Sequence, residues 1–153
     1  MRLRLARPGE ADALTALCRR SKAAWGYDDA FMAASAATLT VTPEAIEAGR
    51  VFVAEDGLGR IGIAAYIWLV SGDEIELDLL FVEPGRMRSG AGRALLAQVA
   101  EAGAAAGARR LIIAADPQAG AFYERCGAVR IGDTPSDAIP GRMLPLYVLE
   151  LAR

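Results

Sequence analysis

The chain has 153 residues, of which 54% are hydrophobic and 24% charged, with a net charge of −2 and no histidine. That length and apolar content suit one domain built on one sizeable core. The near-neutral balance argues against a general nucleic-acid grip, and the missing histidines remove Ser-His-Asp, Cys-His and most zinc chemistry.

The N-terminal stretch MRLRLARPGEADAL lacks a secretory core and alternates as a strand does, which places a strand over Arg2–Ala6. Pro8-Gly9-Glu10 opens a helix to about Ser21, with Ala11, Leu14, Leu17 and Cys18 at helical spacing. SKAAWGYDDAF breaks at Gly26, and a second helical piece runs to about Ala37. TPEAIEAGR has the signature of a short capped helix, with Thr42 as N-cap and Pro43 at the first position. Strands follow over Arg50–Glu55 and Ile61–Val70, joined by the turn DGLGR, and over Glu74–Val82 after the turn SGD. A helix over Gly90–Ala105 closes at Gly107. Then come a strand over Arg110–Ala115, a short helix over Gln118–Cys126, and strands over Ala128–Ile131 and Leu144–Leu151. Pro145 cannot donate to a ladder, so its expected place is the entry of the last strand.

No repeat, linker or membrane-length apolar run interrupts this order, and residues 1–153 read as a single domain without a membrane span. The order predicts an α+β domain. Its sheet is mixed and mostly antiparallel, of about seven strands, with one parallel βαβ unit and flanking helices. Cys18 and Cys126 lie far apart in helix-like segments and read as buried thiols of a reducing cytoplasm.

The most informative stretch is FVEPGRMRSGAGRALL. A helix start leaves N–H groups unpaired and carries a positive dipole end, where phosphates bind readily. Gly90 and Gly92 let backbone approach an anion closely, and Arg86, Arg88 and Arg93 add charge. A diphosphate explains all three features together. The other reading is a tight turn with packing glycines and solubilising arginines. A dinucleotide fingerprint fails on Leu95 at its third glycine and on the long spacer Glu83–Ser89 before its first. A Walker loop fails on Gly92-Arg93-Ala94.

This segment resembles the acetyl-coenzyme A motif of the GNAT superfamily of N-acetyltransferases. Val82, Pro84, Gly90, Ala91 and Gly92 match, whereas Met87 stands where the motif has Gln or Arg. DPQAGAFYERCGAVRIG is similar to the family's later segment, with Ala119, Tyr123, Gly127 and Ala128 at matching spacing and Asp116 in place of asparagine. The resemblance implies acetyl-CoA as co-substrate, admitted between two splayed parallel strands. It would be held by Phe81, Val82, Met87, Arg88, Ser89, Gly90, Ala91, Gly92, Arg93, Asp116, Ala119, Phe122 and Tyr123. It also implies a small-molecule or peptide amine as acceptor. The family is often dimeric, so a homodimer is among the states implied.

Acetyl transfer requires an amine that loses a proton, and an alkyl ammonium is only about one part in a thousand neutral at pH 7. DEIELDLLFV alternates, which puts Ile75, Leu77, Leu79 and Phe81 on one face and Glu74, Glu76, Asp78, Leu80 and Val82 on the other. Glu76 matches the base of the histone-acetyltransferase branch, and Asp78 is the second candidate; solvated acids on an exposed strand face are the plain reading of both. Tyr123 matches the family's proton donor to the departing thiolate, or is a core aromatic beside Phe122. A main-chain N–H near Val82 would serve the thioester oxygen. Trp25 and Tyr27 could pack on the acceptor and Arg142 could hold a carboxylate, unless they form a capping cluster and a loop brace. A non-catalytic acyl-CoA sensor is the alternative to an enzyme.

Overall fold

A computed structural model describes residues 1–151. Seven strands form one sheet: β1 (Arg2–Leu5), β2 (Val51–Asp56), β3 (Gly59–Trp68), β4 (Glu74–Val82), β5 (Arg110–Ala114), β6 (Val129–Pro135) and β7 (Met143–Glu150). Their spatial order is β1-β2-β3-β4-β5-β7-β6. Among the described residues only β4 and β5 run parallel. This is the mixed α+β sheet that the element order implies.

The helices are α1 (Ala11–Ala23), α2 (Asp29–Ser35), α3 (Pro43–Glu47), α4 (Ala91–Ala105) and α5 (Gly120–Arg125). Local chemistry sets their starts. Thr42 Oγ1 accepts from the Ala45 N–H at 3.2 Å, and the Asp28 carboxylate accepts from the Phe31 N–H at 2.8 Å. The crossover helix α4 covers one face of the sheet, and Leu95, Leu96 and Val99 pack with Ile75, Leu77, Leu111 and Ile113. On the other face α1 packs Leu14, Leu17 and Cys18 against Val53, Ile63 and Leu79. Full burial of such a leucine stabilises by about 1.5–3 kcal/mol.

The structure corrects four expectations. Strict alternation along β4 fails, because Ala65 pairs with Leu79 and Tyr66 with Leu77. Asp78 is therefore the extra residue of a bulge, and the faces exchange across it. Ile75 and Leu77 face α4, whereas Leu79 and Phe81 face α1. Pro145 lies inside β7 rather than at its entry. Its carbonyl accepts from the Ala115 N–H at 2.9 Å. Its missing donor thus faces the point where β5 leaves the sheet, and only the reciprocal bond at the very end of that ladder is lost. β6 extends to Pro135, since an edge strand bulged between Arg130 and Gly132 tolerates Gly132 and a terminal proline. Cys126 caps α5 and is only half-buried, whereas Cys18 is buried; both are free thiols. No helix among the described residues is long and apolar enough to cross a membrane.

Candidate active site

A wedge in the sheet creates the site. β4 pairs with β5 only from Glu74 to Glu76, against Arg110 to Ile112. Beyond that point β4 continues to Val82, while β5 ends at Ala114. The wedge opens into a cleft of about 900 Å³. The Glu83 N–H bonds the Ile61 carbonyl on β3, and alternation along the antiparallel pair turns the N–H groups of Leu80 and Val82 the other way, into the wedge. They are free ladder donors at the point where the thioester oxygen is expected to lie.

The glycine-rich turn closes one end. Arg88 has φ 68° and Gly90 has φ 87°, so two left-handed residues within three bend the backbone into a concavity of the kind that gathers N–H groups. Among the described residues the N–H groups of Arg88, Gly90, Gly92 and Arg93 have no partner. A Cβ on Gly92 would lie 3.3 Å from Phe122 Cζ, so the missing side chain keeps the floor of the turn open. Met87, Arg88, Gly90, Gly92 and Arg93 line the cleft, as do Phe81, Val82, Ala119 and Phe122. Ser89 and Ala91 do not: Ser89 Oγ accepts from the Ala91 N–H at 3.3 Å, and Ala91 is buried against the sheet. Arg86 is bound to Asp56 at 2.9 Å, which takes it out of the local positive charge. Arg125, at the end of α5, also lines the cleft. Nothing in its sequence position marks it, because only the packing of α5 beside the turn brings it there.

Tyr123 lines the cleft, is 7% exposed, and packs edge-to-face on Phe122 at 5.2 Å. Its hydroxyl has no hydrogen-bond partner among the described residues, yet it is not sealed from solvent. It opens onto the cleft. Burial raises its pKa above that of an ordinary phenol, and the neighbouring Cys126 and Asp116 add to this, so it stays protonated at neutral pH. Glu76 and Asp78, on β4, line the same cleft. Burial holds the half-buried Glu76 above the usual carboxylate range, and the carboxylates of Asp137 and Asp78 raise it further. Asp78 keeps contact with solvent, but enclosure by the cleft walls raises it too, partly offset by Arg50.

The acceptor end is built differently from expectation. Trp25 and Arg142 line it, but Tyr27 does not. Tyr27 stacks on Phe31 at 3.9 Å and donates its hydroxyl proton to Asp116 Oδ2 at 2.7 Å. Lys22 Nζ meets the same oxygen at 2.6 Å, and Arg142 lies 3.5 Å from it while donating to the Tyr27 hydroxyl at 2.8 Å. Burial alone would raise Asp116. The Lys22 ammonium, the Tyr27 hydroxyl and the Gln118 N–H outweigh it and hold the carboxyl below its ordinary value. Asp116 is thus the hub that ties α1, the α1–α2 loop and the loop before β7. Its oxygens are already used by protein donors, and Arg142 is braced rather than free to grip a carboxylate. Asp137, in the same loop, lines the cleft and has no ion-pair partner among the described residues. No spacing in the sequence points Asp137 toward Glu76.

Residues 47–127, more than half the chain, match the family model "Acetyltransferase (GNAT) domain". That span runs from the end of α3 through the wedge, the turn and Tyr123. None of the curated proteins matches the chain. Among solved structures, a GCN5-related N-acetyltransferase from Rhodopseudomonas palustris aligns with TM-score 0.78 and 23% identity, covering 98% of this chain and 95% of that one. The yncA protein of Salmonella typhimurium, solved with acetyl-CoA, aligns with TM-score 0.72 and 20% identity over 100% and 95% of the two chains. An N-acetyltransferase from Thermoplasma acidophilum, solved with coenzyme A, aligns with TM-score 0.75 and 14% identity over 97% and 98%. At these identities the structures share the fold, and the family model supplies the rest: the chain belongs to the GNAT family of acetyltransferases.

Proposed function

We infer that the protein is an acetyl-CoA-dependent N-acetyltransferase acting on a primary amine by direct attack. The observation that carries this reading is the row of unpartnered N–H groups at Arg88, Gly90, Gly92 and Arg93, set at one end of an open wedge that Tyr123 also lines. Four amides at a helix start suit a pyrophosphate. The wedge gives a pantetheine arm a route past Phe81, Val82, Ala119 and Phe122. The Salmonella and Thermoplasma structures of the same fold hold acetyl-CoA and coenzyme A, which supports this donor.

Glu76 takes a proton from the acceptor ammonium, directly or through water, with Asp78 as the nearer alternative. The neutral amine attacks the thioester carbon, and the charge that develops on oxygen is met by the Val82 N–H. The carbon–sulfur bond then breaks. Tyr123 gives its proton to the departing thiolate and regains one from the adduct nitrogen by way of water, so amide and free coenzyme A thiol leave while the proton taken by Glu76 passes to solvent. The chain works as one domain in the reducing cytoplasm, where its two free thiols are stable.

Calorimetry with acetyl-CoA against NAD, followed by thiol release over an amine panel, tests this. Binding of acetyl-CoA but not NAD is expected, with release only in the presence of a suitable amine. Binding without release from any amine would make the protein an acyl-CoA sensor instead.

A further inference from the structure

The acceptor end of the cleft is acidic in a specific way. Glu76, Asp78 and Asp137 all line it, and among the described residues none has an ion-pair or hydrogen-bond partner. By contrast the enclosed carboxylates Glu10, Asp56 and Glu83, and Asp116 in the cleft itself, are each paired with an arginine or lysine. The two cations on the same walls, Lys22 and Arg142, are already committed to Asp116. Arg50, which partly offsets Asp78, donates to the Tyr66 carbonyl at 3.0 Å, and the balance left at this end is negative.

Two buried hydroxyls point the same way. Ser21 is 2% exposed and Ser35 is 3% exposed, both line this cleft, and neither side chain has a partner among the described residues. Neither is sealed from solvent, so the little surface each retains opens onto the cleft. Threonines on the same segment do bond back to the helix, Thr38 to the Ser35 carbonyl at 2.8 Å and Thr40 to that of Ala36 at 2.9 Å. Buried hydroxyls left without such bonds are groups that a ligand can satisfy.

We propose that the acceptor is an aliphatic diamine or polyamine whose reacting amine meets Glu76 and whose second ammonium is held by Asp137, with the Ser21 and Ser35 hydroxyls lining its path. This rests on the acetyltransferase reading and adds the substrate class. An ammonium with several N–H donors suits carboxylates and hydroxyls together. A carboxylate-bearing amine would meet repulsion there, because the cations that could receive it are occupied.

The test compares putrescine, butylamine and γ-aminobutyrate, chains of the same carbon count with a second ammonium, none, or a carboxylate. Equilibrium binding is measured by calorimetry to the protein saturated with coenzyme A, and thiol release from acetyl-CoA is measured separately. Putrescine is expected to bind about tenfold or more tightly than butylamine, as a charge-assisted pair allows, and γ-aminobutyrate weakest. Asp137→Asn should bring the putrescine-to-butylamine ratio close to unity. Asp137 is exposed and unpaired, so the variant folds. Butylamine or γ-aminobutyrate binding as well as putrescine, or an unchanged ratio in Asp137→Asn, overturns the proposal. Preferred putrescine binding without thiol release would sink the acetyltransferase reading and leave the diamine subsite standing. Release with γ-aminobutyrate in preference would do the reverse.

Discussion

In the proposed mechanism Tyr123 and Glu76 divide the proton work, and each is tuned by where it sits in the cleft. The phenol is buried and has no hydrogen-bond partner among the described residues, so the fold holds it neutral and available. Removing only its hydroxyl leaves the packing on Phe122 in place. Tyr123→Phe should therefore lower kcat by about 100-fold or more, a usual size for a lost general acid, with acetyl-CoA binding little changed. Single-turnover thiol release and calorimetry read the two quantities apart. Glu76 acts as a base only when ionised, and its pKa is raised by burial first, then by Asp137 and Asp78. Activity should therefore fall with decreasing pH through a limb that lies above the ordinary carboxylate value of about 4.3. Glu76→Gln should abolish that limb. Asp137→Asn removes one of the raising charges and should move the limb to lower pH, which a pH profile of kcat/KM resolves.

At the scale of elements, the start of α4 is where backbone conformation becomes function. Gly90 has φ 87° and a Cβ there would touch nothing, so Gly90→Ala probes the left-handed backbone alone. It should cost about 1–2 kcal/mol of stability and weaken acetyl-CoA binding as the amides turn away. Gly92 is a helical residue, and alanine there adds about 0.5–1 kcal/mol of helix preference. Its Cβ would press on Phe122 at 3.3 Å, at the floor of the turn. Gly92→Ala should thus keep its stability and still lose about tenfold or more in acetyl-CoA affinity, about 1.4 kcal/mol. Denaturant midpoints and calorimetry on the two variants separate strain from obstruction. The bulge at Asp78 works at the same scale, turning Glu76, Leu79 and Phe81 to one side of the sheet.

Across the whole molecule, one buried carboxylate ties the N-terminal edge to the sheet. Glu10 is 5% exposed and accepts from Arg4 at 2.8 and 2.9 Å, Arg60 at 2.6 Å and the Arg7 N–H at 2.6 Å. The Arg4 guanidinium, against the cost of burial and with help from Arg60 and Arg7, holds its pKa far below the ordinary value. A depressed carboxylate adds stability above its unfolded pKa and loses it as pH falls below about 4. Glu10→Ala should cost about 1–3 kcal/mol at pH 7, because the Arg7 N–H and one side of the Arg4 guanidinium lose their acceptor while Arg4 keeps Glu55 and Arg60 turns to water. Urea melts at neutral and acidic pH should show the wild type losing stability on acidification more steeply than Glu10→Gln.

The sequence by itself determined the element order, the capped start of α3, the place where α4 begins and the turn chemistry, because caps, glycines and periodic apolar residues act within a few positions of one another. It also determined the candidate machinery, since the two motifs around Gly90 and Tyr123 are local strings. Tertiary structure alone decided which face Leu79 and Phe81 take, because a bulge is a mismatch between two strands and leaves no mark on one. It alone decided that Asp116 binds Lys22, Tyr27 and Arg142, and that Asp137 comes to stand with Glu76. Those contacts join segments far apart in the chain, and their energies depend on distance and enclosure, which no spacing along a sequence records.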